Sequence, residues 1–229
     1  MATAPEHGKQ FTLYSHELGP NPWKVAMILE ELGLTYHTIF IDFSDVKSAS
    51  YTKLCSNGRL PTIVDHHNDD FTIWESGAII LYLVERYDPD EKMSFKDRND
   101  SARAVQWLMF QMSGQGPYYG QAVHFQSYHP QKHESAIQRY IEEARRVLSV
   151  LEKELTDNNK EWLVGGRPSY ADVSFVVWNR VLDMQFSQLG DWRKEFPRVA
   201  EWDRKLNERP SVEKCVTEWI AAIKATRKA

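Results

Sequence analysis

Two short clusters carry residue types that could recognise a peptide-like ligand. The first is Arg59-Leu60-Pro61, at the head of an expected strand. A proline there gives up one ladder hydrogen bond, which is tolerated at a strand start or with a cis bond in a tight turn. A cis bond would leave the N–H and C=O of Leu60 able to pair with an extended ligand backbone. A plain strand-entry proline accounts for the same residues. The second cluster is Trp74-Glu75-Ser76-Gly77, where a strand is expected to pass directly into a helix. The Ser76 hydroxyl and the first free N–H groups of that helix form a carboxylate site, and Glu75 can pair with an ammonium group. Neighbouring anion and cation sites suit an amino-acid head group, although a plain helix N-cap has the same residues.

Other motifs lack the context their chemistry needs. Gly114-Gln115-Gly116-Pro117-Tyr118-Tyr119-Gly120 has G-x-G-x-x-x-G spacing, follows a helix and contains a proline without an N–H. A kinked helix end beside a ligand pocket is the better reading. His129 and His133 have no H-E-x-x-H glutamate and enclose Pro130, so a surface pair is expected rather than a metal site. Ser76 is not in a G-x-S-x-G elbow. The two cysteines, Cys55 and Cys215, form no dithiol or zinc spacing, and so few cysteines suit a reducing compartment.

The elements that would position these clusters change character near residue 90. Before it, residues 11–14 and 35–42 read as strands, with a helix over 22–32 that starts at Pro22 and ends at Gly33 between them. A polar helix over 44–54, strands over 61–65 and 70–74 and a helix over 75–87 complete a β-α-β-α-β-β-α order. Such an order needs parallel pairing across a crossover and then a hairpin. After it the periodicity is helical throughout. Ile137, Tyr140, Ile141, Ala144, Val147, Leu148, Leu151 and Leu155 form one stripe. Ser169-Tyr170-Ala171-Asp172 reads as a capping box opening a helix that is apolar on nearly all sides. Pro197 and Pro210 are placed to start two more helices. The expected fold is an α/β N-terminal domain (1–90) plus an all-α C-terminal domain (91–229).

Composition narrows the function. A net charge of −4 offers no basic footprint for nucleic acid. No apolar run approaches the roughly 18 residues of a bilayer span, and the polar start has no signal core. A cytoplasmic protein with no membrane partner is expected. The eight Trp and ten Tyr suit both core packing and a pocket for flat apolar ligands.

In this order, the motifs resemble the cytosolic glutathione transferase family. The residues carrying the resemblance are the first strand, Asn57-Gly58-Arg59-Leu60-Pro61, Glu75-Ser76-Gly77-Ala78-Ile79 and the capping box at Ser169. The strings Gly19-Pro20-Asn21-Pro22-Trp23-Lys24-Val25 and Phe110-Gln111-Met112-Ser113-Gly114-Gln115-Gly116-Pro117 look like the fungal class related to the yeast nitrogen-catabolite regulator. The resemblance implies a thioredoxin-like, glutathione-binding domain and a helical domain lining the second-substrate pocket. It implies that Glu75 and Ser76 hold the γ-glutamyl group, that Leu60 before Pro61 pairs with the cysteinyl backbone, and that Arg59 adds charge nearby. It places Asn21 beside the sulfur as the catalytic residue. A free thiol has a pKa of about 8.5, so a helix N-terminus and an amide N–H would act by stabilising the thiolate. Phe110, Tyr118, Tyr119, His124 and Trp178 are candidates for the second-substrate pocket, with ordinary core packing as the alternative for each aromatic. The expected activity is addition of glutathione to an apolar small-molecule electrophile, in secondary metabolism, by a homodimer. A glutathione-dependent cis-trans isomerase and a non-catalytic glutathione-binding regulator are the alternatives.

Overall fold

The computed structural model describes residues 7–157 and 159–226. The chain divides into two compact units, one formed by Met1–Ser94 with Pro210–Ala229 and the other by Phe95–Arg209.

The first unit has the order β1 (Phe11–Ser15), α1 (Pro20–Glu31), β2 (Tyr36–Phe40), α2 (Ala49–Thr52), β3 (Thr62–Asp65), β4 (Phe71–Trp74) and α3 (Ser76–Tyr87). Its sheet runs β2-β1-β3-β4, with β1 parallel to β2 and the other two pairings antiparallel. This is the mixed, thioredoxin-like sheet that the β-α-β-α-β-β-α order requires. In the central strand β1, Phe11 and Leu13 are fully buried, while the edge strand β2 is largely open.

Sequence punctuation sets the ends of α1. Pro20 occupies its first position, two residues ahead of the expected Pro22, where a missing N–H costs nothing. At the other end Gly33 takes φ +69°, its N–H reaches Glu30 O, and the N–H of Leu34 reaches back to Leu29 O. This is a Schellman cap, and it satisfies two carbonyls that the helix leaves open. Pro22 to Leu29 are all buried, including Lys24.

The second unit is helical: α4 (Arg98–Phe110), α5 (Gly116–Val123), α6 (Glu134–Asp157), α7 (Tyr170–Val173), α8 (Val176–Gln185), α9 (Trp192–Glu195) and α10 (Pro197–Asn207). A π-helical turn, Gln111–Gln115, carries α4 into α5, so the expected kink at Gly114 is an extra residue wound into a continuing helix. The buried stripe of α6 is the one expected, apart from a half-buried Tyr140. The capping box forms. Asp172 is fully buried and accepts hydrogen bonds from Ser169 N, Ser169 Oγ, Leu163 N and Trp202 Nε1, all at 2.9 Å. The apolar helix behind it is broken in two at Ser174, whose hydroxyl donates to Ala171 O at 2.7 Å. That back-bond competes with the helix ladder.

The last helix, α11 (Pro210–Thr226), packs on α1 and is grouped with the α/β unit, whereas the sequence counted it with the helical domain. Ser211 Oγ donates to Glu31 at 2.5 Å and Lys214 Nζ to Glu30 at 2.6 Å. Buried Val212, Cys215, Val216 and Trp219 form its inner stripe.

Candidate functional site

The sheet register gathers three connections at one edge. Tyr14 pairs with Thr62 and Thr62 with Trp74. The end of β1, the entry to β3 and the exit of β4 are therefore neighbours, and the residues just beyond them are His16, Pro61 and Glu75.

At the β3 entry the Leu60–Pro61 bond is cis. The turn before it is tied down on both sides. Lys47 Nζ donates to Asn57 O at 2.6 Å, and Gly58 N donates to Cys55 O at 2.8 Å. The Tyr51 hydroxyl donates to Arg59 O at 2.9 Å and lies 2.9 Å from Thr62 Oγ1. Burial pushes the Tyr51 hydroxyl up to about 12, so it keeps its proton and its grip on that carbonyl. The Arg59 side chain is exposed, and its structural contribution here is its carbonyl.

Gly58 is required twice over. Its φ is +57°, and a Cβ built on it would sit 2.6 Å from Val46 O, a backbone atom that cannot step aside cheaply. Gly58→Ala is expected to lower unfolding free energy by about 1–3 kcal/mol. Urea denaturation checks this, and an unchanged midpoint would show that the turn has room for the methyl group.

At the exit of β4, Glu75 has φ +71° and ψ 113°, an uncommon conformation for a residue with a side chain. It lets the chain leave the sheet and enter α3 without a loop. Ser76 starts α3 and is 2% exposed. Glu75 stays exposed, and Asn57 Nδ2 donates to its Oε1 at 3.4 Å, joining the two clusters. The helix is held to the hairpin by the buried Asp65, which accepts hydrogen bonds from the hydroxyls of Tyr82 at 2.7 Å and Tyr87. The result is a carboxylate beside a fixed helix N-terminus. That arrangement can take up an ammonium and a carboxylate group carried on one carbon.

Asn21 is the second residue of α1, at the end of the loop that leaves β1. His16 shapes that loop. Its Nδ1 accepts from Leu18 N at 2.9 Å, its carbonyl accepts from Gly19 N at 3.2 Å, and its ring lies flat on Phe43 with centroids 3.5 Å apart. Burial holds the imidazole below its ordinary value, which favours the neutral form that accepts from Leu18.

Sequence reasoning missed four supporting residues: Tyr51, Lys47, His16 and Lys24. A lone tyrosine or lysine has no spacing signal. Lys24 did carry one, because it interrupts an apolar run inside an expected helix. It is fully buried, and burial pushes its ammonium down to about 7 while the charge of Glu75 pulls the other way.

The five candidates for a second-substrate pocket lie in the helical unit and have different surroundings. Tyr119 and Trp178 are buried and meet edge to face at 6.4 Å, with the Tyr119 hydroxyl directed to Ala144 O. Trp178 also covers Gly116 and Gly120. Phe110 is half-buried against Trp107 and Phe175. Tyr118 lies beside Tyr140 with the Arg146 guanidinium 5.8 Å from its ring centre. His124 is exposed near Phe125 and His129. His129 and His133 have ring centroids 4.7 Å apart, and no metal-binding cluster occurs among the described residues.

With this fold and site in view, the family matches are informative. Residues 9–85 match the glutathione S-transferase N-terminal domain and residues 101–210 the C-terminal domain. The chain belongs to the glutathione S-transferase family. It is 46% identical over 216 residues to glutathione S-transferase 1 of Schizosaccharomyces pombe, a match spanning 88% of this chain and 93% of that protein. A crystal structure of glutathione transferase URE2P6 from Phanerochaete chrysosporium, in complex with oxidized glutathione, superposes with a TM-score of 0.90 at 50% identity, covering 95% of this chain and all of that one. Protein URE2 of Candida glabrata is 38% identical over 90% of this chain and 67% of its own length. The expected relationship to the fungal URE2-like transferases is thus met.

Proposed function

We propose that the protein binds glutathione at the sheet edge described above and transfers it to an apolar small-molecule electrophile. The observation that carries this reading is the exposed Glu75 carboxylate set beside the α3 N-terminus and linked through Asn57 to the turn before Pro61. The residues fit each part of the tripeptide. Glu75 takes the γ-glutamyl ammonium, and Ser76 with the first N–H groups of α3 takes its carboxylate. Leu60 precedes Thr62, where the β3 ladder begins, and its backbone pairs with the cysteinyl residue. Glutathione supplies the thiol, which gives its proton to water; the sulfur then forms the new bond to carbon while a leaving group departs with its electron pair, or while the π electrons shift to the neighbouring atom and take up a proton. Asn21 at the α1 N-terminus favours the thiolate by donating a hydrogen bond and by sharing the positive end of the helix dipole. Neither Cys55 nor Cys215, both buried, is needed as nucleophile.

The narrower reading keeps Phe110, Tyr118, Tyr119, His124 and Trp178 as second-substrate residues and the homodimer as the working assembly. A cytoplasmic site of action belongs to the same reading; among the described residues no helix is long and apolar enough to cross a membrane.

Calorimetry with glutathione and the Ser76→Ala and Asn21→Ala variants tests the reading. Ser76→Ala is expected to weaken binding about tenfold, the worth of one hydrogen bond to a charged group. Asn21→Ala should leave binding within about threefold yet raise the bound thiol's pKa, read from thiolate absorbance against pH. Turnover of an electrophile panel with stoichiometric loss of glutathione separates transfer from isomerisation, which consumes none. Native affinity in Ser76→Ala, or an unmoved pKa in Asn21→Ala, would remove that residue from the mechanism.

A further inference from the structure

The α/β unit contains a cavity that the glutathione site does not use. It has a volume of about 340 Å³ and lies between β1, β2, α1 and α11. That volume is within the roughly 300–1,000 Å³ typical of small-molecule sites. Leu13, Pro22, Trp23, Ala26, Phe40 and Ala222 give it apolar walls, with the Trp23 and Phe40 rings 6.4 Å apart and tilted by 37°. Its polar lining carries no cation, although the buried Trp23 Nε1–H is a donor without a partner among the described residues. Ser15, Tyr36, Thr38 and Glu218 contribute, with no lysine, arginine or histidine among the lining residues. The Tyr36 hydroxyl donates to Glu30 Oε1 at 3.0 Å and is also in hydrogen-bond contact with the Cys215 thiol, and its oxygen has a second lone pair for a further donor. Glu218 is exposed and stands at the mouth. The neighbouring Cys215 thiol is buried, and burial pushes it up to about 12, so it stays protonated.

We propose that this cavity binds a flat, uncharged aromatic molecule bearing a hydroxyl or amino donor, such as a phenol. The apolar walls take the ring, and the donor turns to the Glu218 carboxylate and the Tyr36 oxygen. An anionic aromatic is excluded, because its charge would meet Glu218 with no cation in the lining to compensate. The site is coupled by position to the proposed thiol loop. Ser15 is the last residue of β1 and Pro22 the third of α1, so an occupant touches both ends of the segment that presents Asn21. The proposal stands independently of glutathione binding, since no residue assigned to glutathione lines the cavity.

Isothermal titration of the full chain with 2-naphthol, with glutathione present in excess, tests this. One site is expected, with 2-naphthoate binding at least about tenfold more weakly. Ala222→Phe, which projects a ring into the cavity, should weaken 2-naphthol at least about tenfold, and Glu218→Gln about threefold. Thermal melting of each variant shows whether it is folded, and Thr38→Leu on the edge strand is the alternative filling should Ala222→Phe not fold. Absence of 2-naphthol binding would overturn the proposal. So would equal affinity for 2-naphthoate, native affinity in a folded filled variant, or displacement of 2-naphthol by a glutathione conjugate. Glutathione affinity measured in the same variants reports separately on the transferase site.

Discussion

Asp172→Ala is expected to destabilise the helical unit by about 3–5 kcal/mol, among the largest losses a single side chain in this protein can produce. The carboxylate is fully buried and is the common acceptor for Ser169 N, Ser169 Oγ, Leu163 N and Trp202 Nε1. Burial alone pushes its pKa up, and the hydrogen bonds from those same donors oppose that shift. Removing the carboxylate leaves buried donors from three chain segments without an acceptor, and each orphan costs about 1–3 kcal/mol before relaxation. Water entering the vacated space recovers part of the sum, which is why the expected total is well below simple addition. Asp172→Asn keeps the shape and one acceptor oxygen but turns an NH2 toward donors, so it should fall between wild type and alanine. With about 2–4 °C of melting temperature per kcal/mol at this size, the alanine variant should melt roughly 10 °C lower. A shift under about 2 °C would mean that this cluster is not the tie between α7 and α10 that its geometry indicates.

The same cluster shows what a sequence can display. An S-x-x-D spacing before an apolar run identified Ser169 and Asp172, because a capping box is a local device fixed by chain geometry. The donors Leu163 and Trp202 come from distant segments and have no such signature. Local punctuation likewise placed α1, through Pro22 and Gly33 with its start set two residues late, and the strand-to-helix passage at Ser76. It misjudged the segment 44–54, which holds helix only over Ala49–Thr52. Asp42 is the reason. Its Oδ1 accepts from Ser44 N at 2.8 Å and its carbonyl from Asp45 N at 2.9 Å, so a turn outcompetes helix over the first residues. Placement of α11 against α1 was equally out of reach, because an amphipathic stripe says that a helix is covered and not by what. At the site, Glu75 and Ser76 were visible by type and position. The positive φ of Glu75 was not, since that conformation is ordinarily reserved for glycine or asparagine.

Lys24→Met is expected to stabilise the protein at and below neutral pH and to weaken glutathione binding at the same time. Lys24 is fully buried in α1, where burial lowers its pKa from 10.5 to about 7 against the opposing pull of Glu75. The unfolded chain restores the ordinary value, so between about pH 7 and pH 10.5 it binds more protons than the folded protein. Stability from this group therefore rises with pH across that window and is flat, at its lowest, below it. The full shift corresponds to a ceiling on the order of 5 kcal/mol of destabilisation at pH 6. Methionine, of similar length and uncharged, has no such penalty, so urea midpoints of variant and wild type should differ most at pH 6 and converge toward pH 10. The variant also loses the positive charge that acts on Glu75, the carboxylate proposed to take the γ-glutamyl ammonium. A group that costs stability yet bears on a binding carboxylate is the trade expected at a functional site. A stability difference that does not change between pH 6 and pH 10 would place the Lys24 titration elsewhere. Native glutathione affinity in the stabilised variant would show that its charge has no part in the site.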